Sequence, residues 1–293
     1  MIREEKGYVL WEELREEEFD IAIEKTGGLC VIPIGCFEMH GEHLPVATDV
    51  MQAEVIARMA AEIESACIFP SFRFGDVAGL VDWKGSVRLD PELLLRLLEN
   101  LCEEIARNGF KKIMFVNYHG GNSAMLSYLV RSLMYKKRDY IVTWKSGTDA
   151  IDPFKIGKRL IEEGRGVYPE LLPEDEQVLI DMIEQDKPDG HGGIDETSVM
   201  LVIRPELVNM ERVNAVSGYS TKKTDALQSA KIKSGFFWNV NHPNSYDGDA
   251  EGSSERIGKL ILRLRAEDIA NAYRLLKEDV EATAWYQEHS TYY

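Results

Sequence analysis

The sequence predicts an α/β fold built around a parallel sheet. Short apolar runs of strand length alternate with amphipathic runs of helix length. The strand candidates are apolar at consecutive positions, as strands buried on both faces are. Gly, Pro and Asp sit at the joints.

Taken in order, residues 9–25 carry Leu10, Leu14, Phe19 and Ile23 at helix-like intervals and predict a helix. LCVIPIG (Leu29–Gly35) is bounded by glycines and predicts a buried strand. The Gly- and Pro-punctuated loop CFEMHGEHLPVATD follows, and Asp49 precedes an amphipathic helix to about Ile63. Ala66–Pro70 is a second candidate strand. Asp90-Pro91 is a helix start, with Asp as N-cap and Pro at the first helical position, and Asn108-Gly109 is its stop. Lys112–Asn117 (KIMFVN) is a strand, then come the loop YHGGN, a helix from Ser123 to about Tyr135, and a strand at Tyr140–Trp144. Residues 146–190 are irregular and charged, and read as an insertion closing over one end of the sheet. TSVMLVI (Thr197–Ile203) predicts a last strand, ended by Pro205. Residues 212–255 predict loops with a short helix, and Ile257–Leu276 a closing helix. No repeat or linker interrupts the chain, so residues 1–293 read as one domain.

The composition narrows the function. Of 293 residues, 34 are Lys or Arg and 50 are Asp or Glu, a net charge of −16. Hydrophobic residues make up 44%, which fits a folded chain rather than a disordered one. The acidic balance argues against nucleic-acid binding and against docking on an anionic membrane. No stretch approaches the roughly 20 apolar residues that span a bilayer. The N-terminus has no signal-peptide core. Cys30, Cys36, Cys67 and Cys102 form no CxxC pair, and read as reduced cysteines of a cytoplasmic protein.

The chemistry-bearing residues gather at predicted strand ends, where open α/β sheets bind ligands. Glu38, His40, Glu42, His43 and Asp49 follow the first strand, and His119 follows Lys112–Asn117. The segment GHGGIDETS adds His191, Asp195 and Glu196. Imidazole and carboxylate together suit Zn²⁺, Mn²⁺ or Fe²⁺. A carboxylate such as Asp49 can bridge two ions, and two ions about 3.5 Å apart activate a hydroxide that attacks amide carbonyls. Other readings stay open. A single His in a Gly-rich loop is ordinarily a turn residue. HGG at 119–121 also suits the oxyanion loop of an α/β-hydrolase, although no G-x-S-x-G accompanies it. Gly41 and Pro45 exclude a helical HExxH site, and no phosphate-binding Gly-rich motif is present.

Residues Pro33–Asp49, PIGCFEMHGEHLPVATD, resemble the signature of the creatininase (creatinine amidohydrolase) family: Pro-x-Gly, then Glu-x-His-Gly-x-His-Leu-Pro, then an Asp. Later segments agree in order. Lys84–Val87 resembles its Pro-Gly-Thr-Ile stretch, Asn117–Asn122 its Asn-Gly-His-Gly-Gly-Asn loop, His191–Ser198 its His-Ala-Gly-x-x-Glu-Thr-Ser, and Tyr246–Asp249 its Gly-Asp-Pro turn. The similarity spans roughly residues 9–276 and is poorest over 146–190.

The resemblance implies a three-layer α/β/α fold with a mostly parallel sheet, two divalent ions per subunit, and hydrolysis of a C–N bond in a small amide, cyclic amide or formamide. It places Glu38, His40, Asp49 and His119 on metal positions, with Asp49 as bridge. Creatininases proper have a Glu where this chain has Gly121, and Glu196 takes that role here. His191 matches the residue that moves a proton to the leaving group, beside Glu196. The amides near Gly120 and Gly121 fall at the oxyanion, Trp83 and Ser86 on the substrate side, and His43 behind a ligand as an orienting residue. Trp144 and Trp238 are further candidates for a substrate wall. Residues 146–190 contain no tryptophan, unlike the active-site flap of creatininases, which together with Gly121 argues against creatinine itself. The resemblance also implies a homo-oligomer, often a hexamer. The alternatives within it are a C–C hydrolase opening a carbocyclic ketone, and a non-catalytic metal- or ligand-binding member.

Overall fold

The structure, a computed structural model, describes residues 7–77, 79 and 82–289. A five-stranded sheet forms its centre: β1 (Val9–Leu10), β2 (Leu29–Ile34), β3 (Cys67–Ile68), β4 (Lys112–Asn117) and β5 (Ile141–Ser146). The strands lie in the order β1-β3-β2-β4-β5 and every pairing is parallel. β2 and β4 pair along their whole length, from Leu29 opposite Lys112 to Ile34 opposite Asn117.

Alternate side chains of each strand feed opposite faces. Leu29, Val31, Met114 and Val116 enter one apolar core, and Cys30, Ile32, Ile34, Ile113 and Phe115 enter another. The second core is covered by α1 (Phe19–Lys25), α3 (Pro91–Arg107) and α4 (Asn122–Ser132). The first is covered by α2 (Thr48–Ile63), α5 (Pro153–Glu163), α6 (Pro173–Glu184), α7 (Ile194–Ile203) and α10 (Glu255–Glu278). The result is three layers, α/β/α. The short helices α8 (Asp225–Ser229) and α9 (Phe237–Asn241) precede α10, and α11 (Ala282–His289) follows it.

Local chemistry sets the helix starts. The Asp90 side chain accepts from the Glu92 and Leu93 amides at 2.9 and 3.1 Å, with Pro91 at the first helical position. From there Leu94, Leu98, Cys102 and Ile105 recur along the buried face of α3. Ser254 caps α10 by accepting from the Ile257 amide at 3.2 Å.

Three segments differ from the sequence expectations. Thr197–Ile203 is not a strand but the body of α7. The run TSVMLVI is apolar all round because α7 is packed against α2 and α10, and such a run carries no period that separates helix from strand. Within residues 9–25, only Phe19–Lys25 is α-helical; Val9–Leu10 pairs with β3 as an edge strand, with 3₁₀ turns between. Residues 146–190 hold α5 and α6, whose Ile156, Leu160, Leu179 and Met182 are core residues. The ends of that segment alone approach the cavity described below.

The topology fixes the location of chemistry. The chain leaves β2 towards β3 on one side and leaves β4 towards β5 on the other, so the crevice beyond the carboxyl ends of β2 and β4 is a topological switch point. Glycine is required at its floor. A Cβ on Gly35 would lie 2.5 Å from the Val50 amide nitrogen. Its absence lets the end of β2 abut the start of α2, bringing residues 36–40 against Asp49.

Candidate metal centre

Glu38, His40, Asp49 and His119 converge in this crevice and all are buried. Asp49 turns its two oxygens to different partners: Oδ1 is 2.9 Å from His40 Nε2, and Oδ2 is 3.2 Å from His119 Nδ1. Glu38 Oε1 lies 2.8 Å from the same His119 nitrogen, yet neither Glu38 oxygen has a hydrogen-bond partner among the described residues. Glu196, in the first turn of α7, places Oε2 3.4 Å from His40 Nε2 and accepts from the Gly192 amide at 2.7 Å.

Each imidazole is oriented by a main-chain carbonyl at one nitrogen, which leaves the other nitrogen facing the carboxylates. His40 Nδ1 meets the Glu38 carbonyl at 3.1 Å and His119 Nε2 the Asp76 carbonyl at 2.7 Å. His191 Nε2 meets the Met39 carbonyl at 2.6 Å, leaving Nδ1 3.6 Å from Glu38 Oε1. The His191 ring stacks on His40 with centroids 3.9 Å apart and stands edge-on to Trp238. His43 does not reach the cluster. Its Nε2 donates to the Gly192 carbonyl at 2.9 Å beside Thr197 Oγ1, pinning the turn that leads to Glu196.

Buried amides support the β4 side. Asn117 Nδ2 donates to the His119 carbonyl at 2.9 Å, Asn122 Nδ2 to Asn117 Oδ1 at 3.0 Å, and the Asp76 amide to Asn122 Oδ1 at 2.7 Å. This network holds the segment whose carbonyl aims His119. Behind α7, Arg265 is buried, pairs with Asp195 and donates to the Ile151 carbonyl at 2.8 and 3.0 Å.

The electrostatics are those of a site short of positive charge. Burial opposes charge on His40, but the Asp49 and Glu196 carboxylates carry its pKa up to about 10. Burial also opposes charge on His119, and Glu38 more than offsets it. Burial, with Asp49 adding to it, raises Glu196 to about 8. Burial and the neighbouring His40 depress His191 to about 4. Protons on His40 and His119 thus take the places that cations would hold.

These donors fit metal ions. Among the described residues, three groups of side chains have ligand atoms within 4.8 Å of one another: Cys36, Glu38, Asp49 and His119; His40, Asp49 and Glu196; and Glu38, His40 and His191. The first two share Asp49 through opposite oxygens, as a bridging carboxylate requires. Burial of the Glu38 carboxylate, with the His119 ring beside Oε1 and no hydrogen bond to either oxygen among the described residues, is otherwise a cost.

The centre opens on a cavity of about 510 Å³ lined by Glu38, His119, Gly120, Gly121, His191 and Glu196. Beyond them its wall includes Asp76, Ser146, Asp149, Trp238 and Asn239. Gly120 has open space at its Cβ position, whereas a Cβ on Gly121 would fall 2.4 Å from His119 Nε2. Of the tryptophans weighed for the wall, Trp238 lines the cavity and Trp144 packs against a core. Trp83 and Ser86 do not line it. The Val87 amide bonds the Phe37 carbonyl, holding this stretch on the outer side of the β2 loop. Sequence reasoning missed Cys36, whose Sγ is 3.1 Å from Asp49 Oδ2, and the Asp76 carbonyl. The position of Cys36, two residues before Glu38, was the available signal for the first. A main-chain contact leaves none.

A three-layer α/β fold with carboxylates and imidazoles gathered at its switch point defines a metal-dependent hydrolase scaffold. The creatininase family model, described as creatinine amidohydrolase, matches residues 12–273. A creatinine amidohydrolase of Pseudomonas putida is 26% identical over 274 residues, covering 89% of this chain and 95% of that protein. A mycofactocin precursor peptide peptidase of Mycolicibacterium smegmatis is 32% identical over 120 residues, 38% of this chain and 47% of that protein. Among solved structures, a mutant creatininase of the Zn–Zn type has a TM-score of 0.65 at 22% identity, covering 94% of this chain and 99% of that one. The chain belongs to the creatininase family, whose members are metal-dependent amidohydrolases acting on C–N bonds.

Proposed function

We propose that the protein hydrolyses the C–N bond of a small amide, cyclic amide or formamide, using two divalent ions. Glu38, Asp49 and His119 hold one ion; His40, Asp49 and Glu196 hold the other. The observation that carries this is the division of Asp49 between two histidines beside the buried carboxylate of Glu38, which makes no hydrogen bond among the described residues. When bound, such ions acidify water and polarise a carbonyl. The P. putida and M. smegmatis relatives are named for amide and peptide hydrolysis, which supports the reaction class.

The chain's own groups supply the rest. His191 Nδ1 faces Glu38 and the cavity, positioned to accept a proton and deliver it to the departing nitrogen. Burial and the neighbouring His40 depress its pKa to about 4, so the ring is neutral at neutral pH. Gly120, which lines the cavity with open space at its Cβ position, is the candidate main-chain donor to the developing oxyanion. Trp238 supplies a flat apolar wall against which a small ring can lie. The crowding at Gly121 supports Glu196 as the carboxylate of the second ion. The whole chain serves as one catalytic unit, assembled as a homo-oligomer, which size exclusion with light scattering tests.

Elemental analysis of unstripped protein, followed by a panel of small amides assayed for released amine or formate, tests the reading. Two ions per chain and turnover that fails in Glu38→Gln are expected. Full ion content and full turnover in that variant refute the ligand assignment, and a nitrogen-free keto acid product refutes the reaction.

A further inference from the structure

We infer that Cys36 is a ligand to the ion held by Glu38, Asp49 and His119, which makes that half of the centre selective for thiophilic ions. This rests on the metal-centre reading above and adds a donor to it. Cys36 is fully buried immediately after Gly35, where the missing Cβ lets β2 abut α2. Its Sγ lies 3.1 Å from Asp49 Oδ2, the same oxygen that stands 3.2 Å from His119 Nδ1. The sulfur, a Glu38 oxygen, an Asp49 oxygen and a His119 nitrogen all fall within 4.8 Å of one another. Ligands at bonds of about 2.0–2.3 Å around a tetrahedral ion stand roughly 3.3–3.8 Å apart, so small adjustments close the shell.

A second observation points to an ion here. Both Glu38 oxygens are buried without a hydrogen-bond partner among the described residues, on a side chain that is 1% exposed. A buried carboxylate faced by the His119 and His191 rings, beside a thiol and a second carboxylate, is a donor set suited to a cation. Cys30, Cys67 and Cys102 sit in the apolar core on one face of the sheet and join no such group among the described residues.

On coordination the S–H bond breaks. The proton leaves to solvent, the sulfur keeps the electron pair and donates it to the ion, and nothing is oxidised or reduced. One sulfur, one nitrogen and two oxygens suit Zn²⁺ or Co²⁺, whereas Mn²⁺ prefers oxygen.

Cobalt titration of the full-length chain tests this. A near-ultraviolet sulfur-to-cobalt charge-transfer band is expected to grow with the first equivalent, to vanish in Cys36→Ser and to persist in Cys102→Ala. X-ray absorption of the zinc-loaded wild type, which depends on no variant, is expected to show one sulfur at about 2.3 Å. In Cys36→Ser the preference for Zn²⁺ over Mn²⁺ falls about tenfold or more. Full ion binding with no charge-transfer band and a shell of nitrogen and oxygen alone overturns the role of Cys36 and leaves the centre standing. Failure of the wild type to bind ions stoichiometrically overturns both.

Discussion

His191 and His43 divide the work of the loop before α7. His191 faces the cavity, whereas His43 holds Gly192 and Thr197 from behind. His191→Gln is therefore expected to keep its ions while turnover drops about 100- to 10,000-fold, checked by elemental analysis beside kinetics. His43→Phe removes the donor to Gly192, and its expected effect is a roughly 10- to 100-fold weaker second ion with the first retained, seen in a two-step metal titration. Protonation gives a further expectation. Without ions and against burial, the neighbouring carboxylates carry His40 up to about 10, and burial carries Glu196 to about 8, so this cluster holds protons at neutrality that ions must expel. Apparent ion affinity accordingly rises with pH through about 8 and on towards about 10, with a slope reporting the protons displaced, measurable by chelator competition. The residues of the first motif were legible in the sequence because Glu38, His40 and Asp49 lie close together in it. Trp83 and Ser86 were not, because the side of a loop on which a residue falls depends on contacts such as Val87 to Phe37, which no local pattern announces.

At the scale of elements, α7 is the instructive case. Its β-branched run carries strand-like composition, and burial between α2 and α10 makes it helical. The helix turns Glu196 towards His40 from its first turn, so the register of α7 against α10 sets the second ion's site. Gly258 governs that register: a Cβ there would lie 2.0 Å from the Ser198 carbonyl oxygen. Gly258→Ala is expected to cost about 1–3 kcal/mol in denaturant unfolding and to weaken the second ion, with the first little changed. The start of α10 depends on a second joint. Asp175 accepts from the Leu172 amide at 2.9 Å and from Ser254 Oγ at 2.6 Å, and pairs with Arg256. Burial opposes its ionisation, but Arg256 and these donors hold its pKa below the usual carboxylate range. Its contribution is present above the unfolded-state pKa near 3.9 and is lost as pH falls through the lower folded value. Asp175→Asn should lower stability by about 1–2 kcal/mol at neutral pH, with the gap to wild type closing in acid melts. The helix start at Asp90 was readable because capping is local, whereas the pairing of Asp175 with Ser254 spans 79 positions of sequence and is visible only in three dimensions.

For the whole molecule, the parallel sheet and its switch point follow from alternation of strands and helices, which is why the location of the chemistry was legible before any coordinates. The placement of residues 146–190 was not, since amphipathic faces on α5 and α6 declare burial without saying against what. The centre ties together the loops after β2 and β4 and the start of α7, so ion binding acts on global stability. At an ion concentration about 100 times the Kd the gain is about 2.7 kcal/mol. Chelation should therefore lower the melting temperature by several degrees, reversibly on adding Zn²⁺, as scanning calorimetry would record.

The carbonyls that steer the imidazoles have an outcome for engineering. Met39, Asp76 and Gly192 hold His191, His119 and His43 through the peptide chain alone. Gly192 is fixed as glycine by a φ of +78°, and Asp76 borders the cavity. Because peptide groups set the aim of the rings, libraries diversified at a cavity-wall residue such as Asn239 can remodel molecular selectivity while the reactive apparatus stays tuned, a separation of duties that favours the emergence of new activities from an old scaffold.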